Sequence, residues 1–348
     1  METIGTSLQA KYTTHLRCAG VRLAVFYQRP TQFAMIGVTP RNHPRRGLSA
    51  MYPAYRTVAL LLACSLTTYP AVADDVVVEK NIVYGNAGDL ELKLDLVRAA
   101  QGHRPSPAIV FIHGGGWYQG NRQGYLPDCR EAARRGYVAL TISYRLMQFD
   151  NSKKETTTAA PIFPAQIHDA KTAIRWLRAN AEKYNVDKKR IGVTGGSAGG
   201  HLALLVGLTG MEAKLEGHNG HPDASSRVQA VVNVYGPTEM ASLHATSSVS
   251  WIFRLFLGGT PQQVPDRYQE ASPTTYASAG DPPVLTIHGD RDRLVPLQQA
   301  RLLDQKLKAA GAPHTLLVLP GQGHGFRGQA QQRAAEAKWR FFEKHLKP

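Results

Sequence analysis

A serine stands among glycines where one apolar run ends and another begins. Ile191-Gly192-Val193-Thr194 leads into Gly195-Gly196-Ser197-Ala198-Gly199, and His201-Leu202-Ala203-Leu204-Leu205-Val206 follows. The pattern reads as a buried strand, a sharp turn at the serine, and a helix. Such a turn forces the serine backbone into a strained conformation, and a side chain on either flank would collide with the adjoining strand or helix. Only a short list of folds places a hydroxyl in the open this way, at the positive end of a helix.

The pentapeptide is weak evidence alone, because glycine and serine are common in loops, but three more strand ends carry reactive groups. Pro107-Ala108-Ile109-Val110-Phe111-Ile112 reads as a buried strand that delivers His113-Gly114-Gly115-Gly116-Trp117, whose glycines let the main chain turn its N–H groups inward. Pro283-Val284-Leu285-Thr286-Ile287 delivers His288-Gly289-Asp290-Arg291-Asp292. After Leu316-Leu317-Val318-Leu319 comes Gly321-Gln322-Gly323-His324-Gly325-Phe326. Nucleophile, acid and histidine therefore follow in the order Ser, Asp, His.

A neutral serine is a poor nucleophile and needs a base within hydrogen-bond reach, plus a third group to fix the base's tautomer. His324 is the natural base: its glycine-flanked loop can swing the ring over the serine, and an unperturbed imidazole titrates near neutrality, at about 6.5. His113, His201, His288 and His314 also lie near strand ends, with His113 read as structural. Asp292 is preferred to Asp290 as the orienting acid, since a strand ending at His288 needs several residues to turn a carboxylate inward; Asp290 then serves the turn. The backbone N–H groups of Gly115, Gly116 and Ala198 are the expected donors to an oxyanion. Losing one such donor costs about 2.7–4 kcal/mol of transition-state stabilisation. Trp117 and Trp251 are candidates for an acyl or aryl pocket, each with packing as its alternative role.

No metal and no cofactor is implied. His218 and His221 have no Cys, Asp or Glu completing a recognisable ligand set, and no Lys-Ser or Lys-Thr follows the glycine turn as a phosphate loop requires.

The chain has 348 residues, 43% of them hydrophobic, and a net charge of +15, of which +7 belongs to residues 1–73. The remaining basic residues are scattered along expected helices and not interleaved with aromatics, which argues against a nucleic-acid partner. Met51 to Arg56, the apolar Thr57–Leu66 and Ala71-Val72-Ala73 have the layout of a signal peptide, too short to span a bilayer stably. Residues 1–50 read as an unstructured leader or a misassigned start, 51–73 as the signal, and 74–348 as one domain, secreted or periplasmic. Leu61-Leu62-Ala63-Cys64 offers the alternative of a lipid anchor through Cys64. Cys129 is then the one cysteine of the mature part, read as a small buried apolar residue.

From Val76 to Val97 apolar and polar residues alternate around Gly85-Asn86-Ala87-Gly88, an antiparallel hairpin. Strands and helices then alternate: a helix at 128–135, a strand at 137–142, a helix at 167–184, strands at 228–234 and before His288, a helix at 296–310, a strand at 315–319, and a helix closing at Leu346. This predicts an α/β fold with a mostly parallel sheet covered on both faces. Residues 238–272 break the alternation around Trp251-Ile252-Phe253-Arg254-Leu255-Phe256-Leu257, as a cap over the site or as a packed helix.

These motifs, with Phe163-Pro164-Ala165-Gln166-Ile167-His168-Asp169-Ala170, Ile174–Arg178, Ser225–Val232, Tyr235-Gly236-Pro237-Thr238 and Asp281-Pro282-Pro283, resemble the hormone-sensitive-lipase-like esterases of the α/β-hydrolase superfamily. The resemblance runs over residues 78–346 and is strongest to the bacterial bifunctional feruloyl and acetyl xylan esterases. It implies an α/β-hydrolase fold with Ser197, His324 and Asp292 as a triad and Gly115, Gly116 and Ala198 as oxyanion donors. It further implies small-molecule or carbohydrate esters as substrates, and leaves the oligomeric state open. Glu239 departs from the aspartate expected after Gly-Pro-Thr, which puts local packing in doubt. An amidase or formamidase on the same scaffold, or a catalytically silent binding protein that kept the fold, are the alternatives. The silent protein predicts loss of a triad or oxyanion residue, and all are present.

Overall fold

The computed structural model describes residues 14–18, 21–25, 75–101, 104–150 and 159–347. Within the expected leader, β1 (Thr14–Cys18) and β2 (Val21–Val25) pair antiparallel as part of a separate unit. The expected signal segment 51–73, with Cys64, lies outside the described residues.

The larger unit opens with β3 (Val76–Ala87) and β4 (Leu90–Ala99), the leading antiparallel hairpin. Its turn sits at Gly88-Asp89 and not across Gly85–Gly88 as expected: Ala87 pairs with Leu90, and only Gly88, at φ +63°, has the left-handed backbone of a two-residue turn. Gly85 stays in the strand, where a side chain would meet the Asn219 carbonyl at 2.6 Å.

The alternation that follows is β5 (Ser106–Ile112), α1 (Leu126–Arg134), β6 (Val138–Ile142), α2 (Ala165–Ala179), β7 (Val186–Gly196), α3 (Ala198–Leu208) and β8 (Ala230–Val234). Three short helices, α4 (Met240–Thr246), α5 (Ser250–Leu257) and α6 (Pro265–Glu270), fill the segment that breaks it. Then come β9 (Val284–Gly289), α7 (Gln298–Ala309), β10 (His314–Leu319) and α8 (Gly328–Leu346). Helix α2 stops five residues short of the expected end, where the Asn180 side chain and backbone N–H both donate to the Trp176 carbonyl at 2.9 Å.

The eight strands run β10-β9-β8-β7-β5-β6-β4-β3, parallel from β10 to β6 and antiparallel at the β4–β3 edge. Strand β5 shows why its sequence is continuously apolar: Ala108, Val110 and Ile112 enter one core with α2 and α3, while Ile109 and Phe111 enter the other with α1 and α8. Helix α3 is apolar on all sides because it is buried between the sheet and its neighbours. Free Cys129 is buried on α1, and burial pushes its thiol up. Among the described residues no helix is long and apolar enough to cross a membrane.

Glu239, the departure noted above, caps α4: its carboxylate accepts the backbone N–H groups of Ala241 and Ser242 at 3.1 and 2.8 Å. The segment Phe163–Ala170 enters a polar cluster under the hairpin, where buried Asp169 accepts from Arg145 at 2.7 Å and from Asn219 at 2.7 Å. Farther along α2, fully buried Lys171 and buried Arg175 donate to the two oxygens of Glu216 at 2.7 and 2.9 Å. Removing one partner of a buried pair leaves an uncompensated charge. Glu216→Gln is therefore expected to lower unfolding free energy by about 3–5 kcal/mol in urea titration.

Two histidines make stability depend on pH. His201 is fully buried and donates from Nε2 to the Ala271 carbonyl at 2.7 Å; burial holds it down to about 4, and His168 likewise. The unfolded chain binds these protons at about 6.5 while the native protein does not, so native stability is intact above that pH and is lost as pH falls toward about 4. Urea midpoints measured between pH 7 and pH 4.5 should fall steadily, and a flat series would contradict the assignment.

Candidate active site

Strand order places the site before any side chain is considered. From β5 the chain goes to β6 on one side and returns to β7 on the other, so the connections leaving the paired carboxyl ends of β5 and β7 part in opposite directions. Open parallel sheets leave a crevice at such a switch point. The glycine loop after β5, Ser197 after β7, Tyr235 after β8, Asp292 after β9 and His324 after β10 all stand at this edge.

Ser197 has φ +56° and ψ −123°, outside the ordinary regions for a residue with a side chain. The residues two positions either side of it must be glycine because the chain closes on itself here: a Cβ at Gly195 would lie 2.4 Å from the Gly199 backbone, and one at Gly199 would lie 2.0 Å from the Ile112 carbonyl. The Ser197 N–H donates to Val234 O at 2.9 Å, and the His201 N–H donates to Ser197 O at 3.0 Å, which fastens the turn to strand and helix alike.

The structure brings Ser197, His324 and Asp292 into one line. The Ser197 Oγ lies 2.8 Å from His324 Nε2, and His324 Nδ1 lies 2.7 Å from Asp292 Oδ2. A carboxylate accepts, so the imidazole proton belongs on Nδ1 and the Nε2 lone pair faces the hydroxyl. Asp292 is itself held: its Oδ1 accepts the N–H groups of Leu294 and Val295, both at 2.9 Å, and it is 6% exposed. Asp290 is exposed and takes the Gly321 N–H at 2.7 Å, a contact that shapes the loop before His324.

The other strand-end histidines are occupied elsewhere. His288 donates to the Val295 carbonyl at 2.7 Å and sits 3.6 Å from Asp292; burial lowers its affinity for a proton. His113 hydrogen-bonds the Gly114 carbonyl through Nδ1 at 2.8 Å and stacks on Tyr144 at 4.3 Å, and burial lowers it too. His314 bridges Asp304 and Thr286 at 2.8 and 3.0 Å.

A pocket of about 370 Å³ opens over Ser197. Gly115, Gly116 and Ala198 line it, and among the described residues none of their N–H groups is tied to a backbone carbonyl. Gly115 and Gly116 have φ +115° and +59°, and a Cβ on Gly115 would meet the Gln119 carbonyl at 2.1 Å. Trp117 borders the pocket as a wall: it is 1% exposed, stacked on Phe256 at 4.1 Å and edge-on to His201 at 5.2 Å. Trp251 does not line it. One residue apart on a helix is a turn of about 100°, so Ile252 and Phe253 of α5 face the pocket while Trp251 packs with Tyr118 and Phe149 at 6.1 and 5.8 Å.

Sequence reasoning missed Val249, Leu294, Val295, Tyr125 and Tyr235 as pocket residues. Tyr235 had a signal, being the residue after a strand end and beside Gly236-Pro237. Among the described residues no group of three or more His, Cys, Asp or Glu is placed to hold a metal ion.

Residues 94–307 match the family described as BD-FAE. The chain is 36% identical over 230 residues to the esterase LipC of Mycobacterium tuberculosis, a match covering 64% of this chain and 54% of LipC. It thus spans about half the length of the curated relatives it matches. Among solved structures it resembles a truncated carbohydrate esterase from gut microbiota at TM-score 0.67 and 29% identity, covering 79% of this chain and 98% of that one. It also resembles a thermophilic esterase of Thermogutta terrifontis at TM-score 0.64 and 30% identity, covering 79% and 94%; that esterase has been solved with propionate and with butyrate bound.

Proposed function

The chain belongs to the BD-FAE family, and from that membership and the site geometry we propose that it is a serine esterase that cleaves carboxylic esters through an acyl-enzyme. The observation that carries this reading is the unbroken hydrogen-bond line from Asp292 through His324 to Ser197, beneath a pocket with free backbone N–H groups. Ser197 Oγ attacks the ester carbonyl while His324 Nε2 takes its proton. Asp292 holds the ring and balances the imidazolium, and Gly115, Gly116 and Ala198 receive the negative oxygen. His324 then returns the proton to the departing alcohol, and a water activated the same way releases the acid.

Short-chain acyl esters and acetylated or feruloylated sugars are the substrate classes we infer. Apolar Val249, Ile252, Phe253 and Leu294 suit an acyl chain, and the similar esterase that holds propionate or butyrate supports a short one. The layout of residues 51–73 supports action after export, with Asp74 near the start of the mature chain.

Initial rates on p-nitrophenyl acetate, butyrate and octanoate, methyl ferulate and acetylated xylan, with the Ser197→Ala variant alongside, test the reading. Serine-dependent turnover is expected, falling from butyrate to octanoate. Turnover of aryl amides in place of every ester would move the proposal to an amidase. Asp292→Asn is expected to lose about 10⁴-fold in kcat, since it unsettles the histidine tautomer, whereas Asp290→Asn should stay within a few-fold. The reverse pattern would reassign the acid.

A further inference from the structure

An ester has two halves, and proton bookkeeping decides which wall meets which. The departing oxygen must take its proton from His324 Nε2, so the alcohol lies on the His324 side of Ser197. The oxyanion lies at Gly115 and Gly116, and Ile252 stands directly behind that loop, 3.6 Å from where a Gly116 Cβ would be. The walls of the pocket differ accordingly. The α5 side is aliphatic and aromatic, whereas the His324 side carries two phenols.

Tyr235 stands with its ring 4.7 Å from His324, and its backbone is held at φ +43° to put it there. Its hydroxyl lies 3.4 Å, and that of Tyr125 3.3 Å, from the point where a side chain on Gly196 would begin, immediately before the nucleophile. The two hydroxyls therefore converge from different elements, the turn before α1 and the end of β8. Among the described residues neither phenolic O–H has a partner to donate to, and burial pushes both phenols up, so each keeps its proton. Two half-buried donors with no acceptor in the protein border one pocket, so their O–H groups are available to whatever polar group occupies it.

We propose that Tyr125 and Tyr235 form the alcohol subsite, donating hydrogen bonds to hydroxyl oxygens of the leaving group, so that esters of polyhydroxylated alcohols are preferred to esters of plain alkanols bearing the same acyl group. This rests on the esterase reading and adds the residues that choose the alcohol. The aliphatic α5 wall then takes the acyl group.

Glyceryl 1-acetate and propyl acetate share a carbon skeleton and an acyl group and differ only in two hydroxyls, which makes them the probes. The full protein is expected to favour glyceryl acetate in kcat/KM. Tyr125→Phe and Tyr235→Phe should each reduce that preference about 5-fold, mostly through KM, with the double variant losing it. An equal fall on both esters would overturn the proposal, since the phenols would then be positioning His324 or the turn; so would no change in preference. A separate arm measures methyl β-xylopyranoside binding to the Ser197→Ala protein by saturation-transfer NMR. Binding that both Tyr→Phe changes weaken supports the subsite even if neither ester is hydrolysed, an outcome that sinks the esterase reading alone. Binding indifferent to both tyrosines counts against the subsite.

Discussion

The turn at Ser197 is the constraint around which the other parts are arranged. A side chain at φ +56° costs on the order of 1–3 kcal/mol, so it persists only where the surroundings hold it. Strand β7 lies between β5 and β8, α3 is buried on every side, and Gly195 and Gly199 meet where no Cβ fits. The strain is not isolated. Trp117 and Tyr235 also have positive φ, at +63° and +43°, and both border the same pocket. Three non-glycine residues forced into the left-handed region at three neighbouring strand ends show one site drawing on the rigidity of the whole sheet.

Given that fixed hydroxyl, the choice among many titratable neighbours is settled by geometry. Asp290 and Asp292 are chemically identical and two residues apart, yet one is exposed and closes a turn through Gly321 while the other is buried against His324. The histidines divide in the same way. His113, His201, His288 and His314 each find a carbonyl, carboxylate or hydroxyl acceptor away from Ser197, whereas His324 stands between a carboxylate and a hydroxyl with its side chain 19% exposed. A base that must reach substrate cannot be sealed in the core, and its glycine loop is what lets it hang over the edge. Gly289 makes room for that loop: a Cβ there would sit 2.3 Å from the Gln322 carbonyl.

What could be read from the sequence is what local chemistry dictates. Glycine around a serine, a strand that ends in three glycines and a lone histidine in a glycine loop are signals carried within a few residues, and so were the elements that bear them. The hairpin turn was misplaced because Gly85 and Gly88 look alike in sequence, and only pairing across the strands tells a turn glycine from one that makes space for Asn219. Trp251 was drawn toward the pocket by its chemistry, but helix phase aims Ile252 and Phe253 there instead. Tyr125 and Tyr235 are 110 positions apart and meet only once β5, β7 and β8 are side by side. Pocket walls are long-range objects, and local pattern has no access to them.

The same distinction runs through the protein's architecture. The reactive groups hang from strand ends whose positions are set by main-chain ladders and by cores on both faces. Much of the aliphatic wall comes from the segment between β8 and β9, with α4 capped by Glu239 and α5 stacked through Phe256 on Trp117. That segment contributes no strand to the sheet. Its apolar side chains, Leu243, Phe256 and Leu257 among them, are buried in the same core as α2 and α3, and the glutamate in place of the aspartate expected at its entrance reaches two N–H groups of the next turn. The triad thus hangs from the strand ends and much of the apolar pocket wall from this segment, with Trp117 packed against His201 of α3 on one side and Phe256 of α5 on the other.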